Sequence, residues 1–175
     1  MKLKKIVYIG PAGSGKSTQA DLLAEKLGIP HIQMGDIIRA STDPEVQKII
    51  ASGVLVPDTL AMRLLADELS NQKYDNGFVI DGVPRTIYQA QNLPFEPDVV
   101  IYLAVRDSEN IKRLLLRKRA DDTQELIKKR LAIYHAETAP VLDFYRANGK
   151  LFEINGELSV EVIFEDILNK LKIKS

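Results

Sequence analysis

Near its amino end the chain reads Gly10-Pro11-Ala12-Gly13-Ser14-Gly15-Lys16-Ser17-Thr18. The spacing is G-x-x-x-x-G-K-[ST], and its residue types suit one task, holding a polyphosphate. Glycines let backbone N–H groups turn inward on phosphate oxygens. A helix opening near Lys16 aims its positive dipole end at the same anion. In this arrangement Gly13, Ser14, Gly15 and Thr18 surround the phosphates, Lys16 reaches the β- and γ-phosphates, and Ser17 ligates magnesium. The bland alternative is a glycine-rich turn with a chance lysine. The apolar run Ile6–Ile9 before it and the helical pattern after it argue against that.

A second carboxylate belongs with this loop. Phe78-Val79-Ile80-Asp81 is an apolar strand that ends in an acid. Ligands of open α/β sheets bind at the carboxyl ends of strands, which puts Asp81 in reach of the same magnesium. Taken alone, Asp81-Gly82 reads equally well as a strand-ending turn.

Charge is the third chemical signal. Residues 106–130 carry nine basic and five acidic side chains, in a chain whose net charge is zero. Each helical residue turns about 100°, so Arg113 and Arg117 share a face while Arg119 on the same helix would point almost opposite. If all three grip one substrate, the helix must break after Arg117. Asp122-Thr123-Gln124-Glu125 has the D-x-x-E form of a helix start, with Asp122 as N-cap and Glu125 reaching back. Arg119 then lies in a short connection and Arg130 in the early turns of the new helix. The ordinary meaning of such a run is a solvated helix face. Beside a phosphate-binding loop the better reading is arginines aimed at the charge of a phosphoryl transition state.

The elements that must position these groups are legible from periodicity. Ile6–Ile9, Phe78–Ile80 and Val99–Val105 are unbroken, β-branched runs, the habit of parallel strands buried on both faces. Ile29–Met34 and Leu151–Ile154 are weaker strand candidates. Ala20, Leu23, Ala24 and Leu27 form a helical stripe that Gly28 stops. Val160, Ile163, Phe164, Ile167, Leu168 and Leu171 form a longer one, and Pro140 should kink the long helix after Asp122. Alternating strands and helices predict an α/β fold with helices on both faces of a parallel sheet. The stretch from Gly35 to about Asn71 reads as all-helical, an inserted lobe. His31 and His135 lack partners at motif spacing and read as structural.

The bulk numbers exclude several classes. A chain of 175 residues with 45% apolar and 27% charged side chains is an ordinary single domain. Lysine plus arginine equals aspartate plus glutamate, so no global field draws it to nucleic acid or membrane. With no cysteine and two histidines, disulfides and a zinc site are improbable. The longest apolar run, Val99–Val105, is far short of a membrane span, and no signal peptide is visible. The expectation is a soluble, cytoplasmic protein.

Together these residues resemble the adenylate kinase family of nucleoside monophosphate kinases over nearly the whole chain. The matching pieces occur in the family's order: G-P-A-G-S-G-K-S-T, G-D-I-I-R (Gly35–Arg39), G-V-L-V-P-D (Gly53–Asp58), D-G-V-P-R-T-I-Y-Q (Asp81–Gln89), R-L-L-L-R (Arg113–Arg117), R-A-D-D (Arg119–Asp122) and K-R-L-A-I-Y (Lys129–Tyr134). The resemblance implies a P-loop NTPase fold with a five-stranded parallel sheet, a single domain with a core at 1–34 and 72–175, a helical monophosphate-binding lobe at about 35–71, and a vestigial lid at about 117–122. It implies Mg²⁺-dependent, reversible transfer of the γ-phosphoryl of ATP to AMP by a monomer. Lys16, Arg85, Arg117, Arg119 and Arg130 would stabilise the transferring group, and Arg113 would lie against the ATP base. Arg39 and Arg85 would hold the acceptor phosphate. Met34, Gly35, Val56, Gly82 and Gln89 would surround the acceptor, with the Gln89 amide reading its base.

The sequence departs from the family's pattern at two places. Only Lys118 separates Arg117 from Arg119, where the family inserts a lid. Lids exclude water, so closure would fall to the arginines and the helical lobe, and some ATP hydrolysis should accompany transfer. Met34 stands where adenylate kinases usually carry threonine and pyrimidine-directed relatives often carry alanine. Its thioether either packs on a base or belongs to the core. Ser17 replaces a glycine common in the family, which strengthens the magnesium assignment. The alternatives are a CMP/UMP kinase, a P-loop regulatory NTPase and a kinase-derived binding protein. Asn71-Gln72-Lys73-Tyr74-Asp75 only superficially matches a guanine-reading N-K-x-D, and the retained Lys16, Asp81 and arginines argue against a pure binding protein.

Overall fold

The structure is a computed structural model that describes residues 4–42, 44–52, 54, 56–117 and 123–173. Five parallel strands form one sheet: β1 (Lys5–Ile9), β2 (His31–Gln33), β3 (Phe78–Asp81), β4 (Val99–Ala104) and β5 (Leu151–Asn155), in the order β2-β3-β1-β4-β5. The predicted α/β class, with five parallel strands flanked by helices, is what is found. The strand expected over Ile29–Met34 is shorter, because Met34 already opens a helix.

Side chains alternate across a strand, and β1 shows why its run had to be apolar throughout. Ile6 and Tyr8 enter one core, with Val79, Ile101 and Leu103 from neighbouring strands. Helix α1 (Lys16–Leu27) covers this face with Ala20, Leu23 and Ala24. Val7 and Ile9 enter the opposite core with Ile32, Ile80 and Val100. Burial on both faces leaves no position for a polar residue, as expected for a parallel sheet.

Helices α2 (Met34–Ala40), α3 (Pro44–Ser52) and α4 (Asp58–Leu69) lie between β2 and β3. Met34 from α2 and Ala61 and Leu65 from α4 are buried in the second core, which seats this helical segment on the sheet. Gln72–Tyr74 form a short 3₁₀ turn, its start capped by the Asn71 side chain accepting from the Lys73 N–H at 3.0 Å. Helix α5 (Ile87–Gln91) follows β3 and α6 (Asp107–Arg117) follows β4.

Helix α7 (Gln124–Ile133) corrects one expectation. Its N-cap is Thr123, whose Oγ1 accepts from the Leu126 N–H at 3.3 Å, so the cap falls one residue later than the D-x-x-E reading. Leu126 therefore holds the third helical position that Glu125 was expected to take. Asp122 itself, Arg119 and the lid stretch after Arg117 lie outside the described residues.

Around Pro140 the helix widens rather than ending. Tyr134–Thr138 form a π-helical stretch between α7 and α8 (Ala139–Ala147), and the Ala139 N–H bonds the Tyr134 carbonyl. Pro140 falls at the start of α8, where its missing N–H costs least. The last helix, α9 (Val160–Leu171), buries Ile163, Ile167 and Leu168 against β5 and α1, whereas Val160 of the predicted stripe is 42% exposed. No helix among the described residues is long and apolar enough to cross a membrane.

Candidate active site

Because β2, β3 and β1 are neighbours and parallel, their carboxyl ends lie side by side. Tyr8 pairs with Asp81 and Gln33 with Asp81, so the loop after β1, the acid ending β3 and the start of α2 share one edge of the sheet. A cavity of about 420 Å³ opens there, within the range of small-molecule sites.

The loop after β1 forms one wall. Gly13 has φ +87°, and a Cβ there would sit 2.8 Å from the Asn110 carbonyl of α6, so this turn requires glycine. Gly15 precedes α1 with φ +87°. No side chain caps α1, so its first N–H groups are open to a bound anion. Gly13, Gly15, Lys16, Ser17 and Thr18 all line the cavity. Ser14 does not; it is fully buried beneath the loop.

Lys16 Nζ donates to the Pro11 carbonyl at 3.1 Å. Burial pushes the Lys16 ammonium down to about 8; Asp81 opposes this shift, while Arg85 and Arg117 reinforce it. Arg85 is lowered as well, by burial first and by Arg130 and Arg39, again with Asp81 opposing. Lys16, Arg39, Arg85, Arg117 and Arg130 all line the cavity; Asp81 acts on Lys16 and Arg85, and Arg39 is ion-paired with Asp36. Such a surplus of fixed positive charge is a site for a polyanion.

Asp81 is 4% exposed and accepts a hydrogen bond from Ser17 Oγ at 2.5 Å. His31, expected to be structural, sits beside it, with Nε2 3.8 Å from Asp81 Oδ2 and Nδ1 2.7 Å from Asp21 Oδ1. His135 pairs with Asp107 at 2.9 Å on the surface, away from the cavity.

Met34, Gly35, Val56, Gly82 and Gln89 also line the cavity, and the Arg39 and Arg85 guanidinium groups lie close to Gly35 and Gly82 respectively. Met34 is 1% exposed and belongs to the sheet core, the second of the two places considered for it, while it also lines the cavity. Gln89 is buried on α5. Its Oε1 accepts from the Arg85 N–H at 2.8 Å and its Nε2 donates to Asp58 Oδ1 at 2.8 Å. Asp58 and its partner Thr86 carry no motif-independent signal in the sequence; only the meeting of α4 with α5 reveals them.

Arg113 stands apart. Its guanidinium binds Glu109 Oε1 at 2.9 Å and the Gly156 carbonyl at 2.8 Å, and it does not line the cavity. Across the site, Lys129 of α7 donates to the Ser52 carbonyl at 2.7 Å, tying α7 to the end of α3.

The oxygen donors Ser17 and Asp81 suit magnesium, a hard ion that takes few protein ligands and keeps waters and phosphate oxygens for the rest.

Comparison with known proteins agrees with this geometry. A family model described as adenylate kinase matches residues 8–150. The adenylate kinase of Leptospira biflexa is 41% identical over 186 aligned positions, covering 97% of this chain and all of that protein. That of Encephalitozoon cuniculi is 38% identical, covering 98% of this chain and all of its own. The Thermosipho africanus adenylate kinase is 33% identical over 211 positions, an alignment longer than this chain, so that relative carries insertions absent here. The match spans both the phosphate-binding loop and the helical segment that faces it, and the chain belongs to the adenylate kinase family of nucleoside monophosphate kinases.

Proposed function

We propose that the protein catalyses reversible, Mg²⁺-dependent transfer of the γ-phosphoryl group of ATP to AMP, giving two ADP. The observation that carries this is one cavity lined at once by the phosphate-binding loop, by Met34, Val56 and Gln89, and by the cations Lys16, Arg39, Arg85, Arg117 and Arg130.

In this reading ATP lays its phosphates along Gly13–Thr18, with Lys16 on the β- and γ-phosphates. Arg39 and Arg85 hold the AMP phosphate. An oxygen of that phosphate attacks the γ-phosphorus, the bond from that phosphorus to the β–γ bridging oxygen breaks, and ADP departs with the electron pair. Charge spreads over the equatorial oxygens as the group moves, and Lys16, Arg85, Arg117, Arg119 and Arg130 would meet it. Ser17 and Asp81 would hold Mg²⁺, which when bound neutralises charge on the β- and γ-oxygens. Arg113 would lie against the donor base only if it gave up the Glu109 and Gly156 contacts that hold it. The helical segment at 35–71 would act as the lobe that closes on the acceptor. The protein would act as a monomer, as the family resemblance implies.

A CMP/UMP kinase is the second reading, left open because Met34 is neither the threonine usual in adenylate kinases nor the alanine frequent in pyrimidine-directed relatives. Transfer from Mg-ATP to AMP, CMP, UMP and GMP in parallel, scoring diphosphates against free phosphate, separates the two. ADP formation with AMP far above the others is the expected result. Preference for a pyrimidine would give acceptor choice to Met34. Free phosphate with every acceptor and no diphosphate would remove the kinase reading.

A further inference from the structure

Three side chains join α4 to α5 in a closed ring. Asp58 Oδ1 accepts from Gln89 Nε2 at 2.8 Å, and Asp58 Oδ2 accepts from Thr86 Oγ1 at 2.9 Å. Thr86 Oγ1 in turn accepts from the Gln89 backbone N–H at 3.1 Å. The Arg85 N–H donates to Gln89 Oε1 at 2.8 Å.

Each contact fixes a direction. A carboxylate only accepts and a backbone N–H only donates, so the glutamine amide must turn its nitrogen to Asp58 and its oxygen to Arg85. An amide facing water, or facing another amide, has no such constraint. Flipped here, Gln89 would set oxygen against oxygen at Asp58 and N–H against N–H at Arg85. The amide retains one unused N–H and one unused lone pair, and their order in space is set by Asp58.

That order has a chemical consequence. Adenine presents an exocyclic donor beside a ring acceptor, a pattern that glutamine meets with its oxygen and nitrogen in one sense only. A 6-oxopurine presents an exocyclic acceptor beside a ring N–H, which requires the opposite sense. We propose that Asp58 is a specificity-determining positioning residue: by holding the Gln89 amide in one orientation, it makes the acceptor site take 6-aminopurine monophosphates and reject 6-oxopurine ones. The inference rests on the reading of Gln89 as the residue that meets the acceptor base.

Inosine monophosphate is the sharpest probe, since it differs from AMP only at that edge. The experiment measures kcat/KM for AMP and for IMP, at saturating Mg-ATP, in the wild type, Asp58→Asn and Gln89→Leu. Asparagine is nearly isosteric with aspartate but can turn a donor or an acceptor to Gln89. The ratio of the two constants is independent of how much of each preparation is folded, so lost stability alone does not move it. The expected result is a wild type that prefers AMP, and an AMP/IMP ratio that falls by about tenfold or more in Asp58→Asn, the worth of one charge-assisted hydrogen bond. The change should appear in the KM of the monophosphate, with the KM for ATP unmoved. Gln89→Leu should lose the discrimination too.

If Gln89→Leu loses discrimination while Asp58→Asn keeps the wild-type ratio, the orientation lock is wrong and the reading of Gln89 stands. If Gln89→Leu keeps the preference, or the wild type has none, the reading of Gln89 fails and the inference falls with it.

Discussion

Ser17 Oγ and Asp81 Oδ2 lie 2.5 Å apart although 64 positions separate them in the chain. The contact exists because β1 and β3 are parallel neighbours, so that the first turn of α1 meets the last residue of β3. Removing either oxygen should therefore weaken magnesium use more than folding. Ser17→Ala is expected to lower apparent Mg²⁺ affinity about 10–100-fold. Asp81→Asn should act in the same direction and also lower kcat. Mg²⁺ titration of the transfer rate at saturating nucleotides checks both.

Lys16 bears on the pH dependence of stability. Its ammonium falls to about 8 in the fold from a value of 10.5 in the open chain. Between these values the unfolded state binds more protons, so stability rises with pH across that window. Below pH 8 the cost of burying the cation is fully present. The uncharged variant Lys16→Met should be more stable than the wild type at pH 7, and the gap should close toward pH 10. Urea unfolding of both proteins at pH 7, 8.5 and 10 measures it. A gap that stays constant with pH would show that burial does not depress this lysine.

Gly13→Ala combines a positive φ with a Cβ placed 2.8 Å from the Asn110 carbonyl and 3.0 Å from Leu114 Cγ. The turn must open to admit it. Strain of this kind costs about 1–3 kcal/mol, and the loop it distorts is the phosphate wall. Thermal unfolding should fall and the KM for ATP should rise together. The same change at Gly15, which meets nothing within 4 Å, keeps only the φ penalty and should be milder for stability.

Water exclusion yields a fourth prediction. With only Lys118 between Arg117 and Arg119, we expect closure to rest on the arginines and the helical segment; the Lys129 bond to the Ser52 carbonyl ties α7 to that segment. Free phosphate should appear from Mg-ATP alongside ADP, even with AMP saturating. A hydrolysis rate at background would show that the site is sealed without a lid. Lys129→Met should raise the share of free phosphate severalfold if this tie contributes to the seal.

How far the sequence alone reached follows from the range of the forces involved. The runs Ile6–Ile9, Phe78–Ile80 and Val99–Val105 announced buried parallel strands, because a strand covered on both faces tolerates no polar alternation. Gly10–Thr18 announced a phosphate site, because the cradle is built from one continuous stretch of backbone. Helix ends were less legible: Thr123 and Asp122 are both good caps, and only the backbone geometry selects Thr123.

What no local pattern contains is which distant side chains meet. The sequence determined that a polyphosphate loop, a strand-ending acid and a crowd of arginines would share one protein. The tertiary structure decided that Lys16, Arg85, Arg117 and Arg130 line one cavity with Asp81, that Arg113 turns instead to Glu109 and Gly156, and that Asp58 holds Gln89. The physical reason is that strand order is set by burial of two whole faces of the sheet, a property of all five strands at once. The orientation of a polar side chain is then set by donors and acceptors that this order brings within reach.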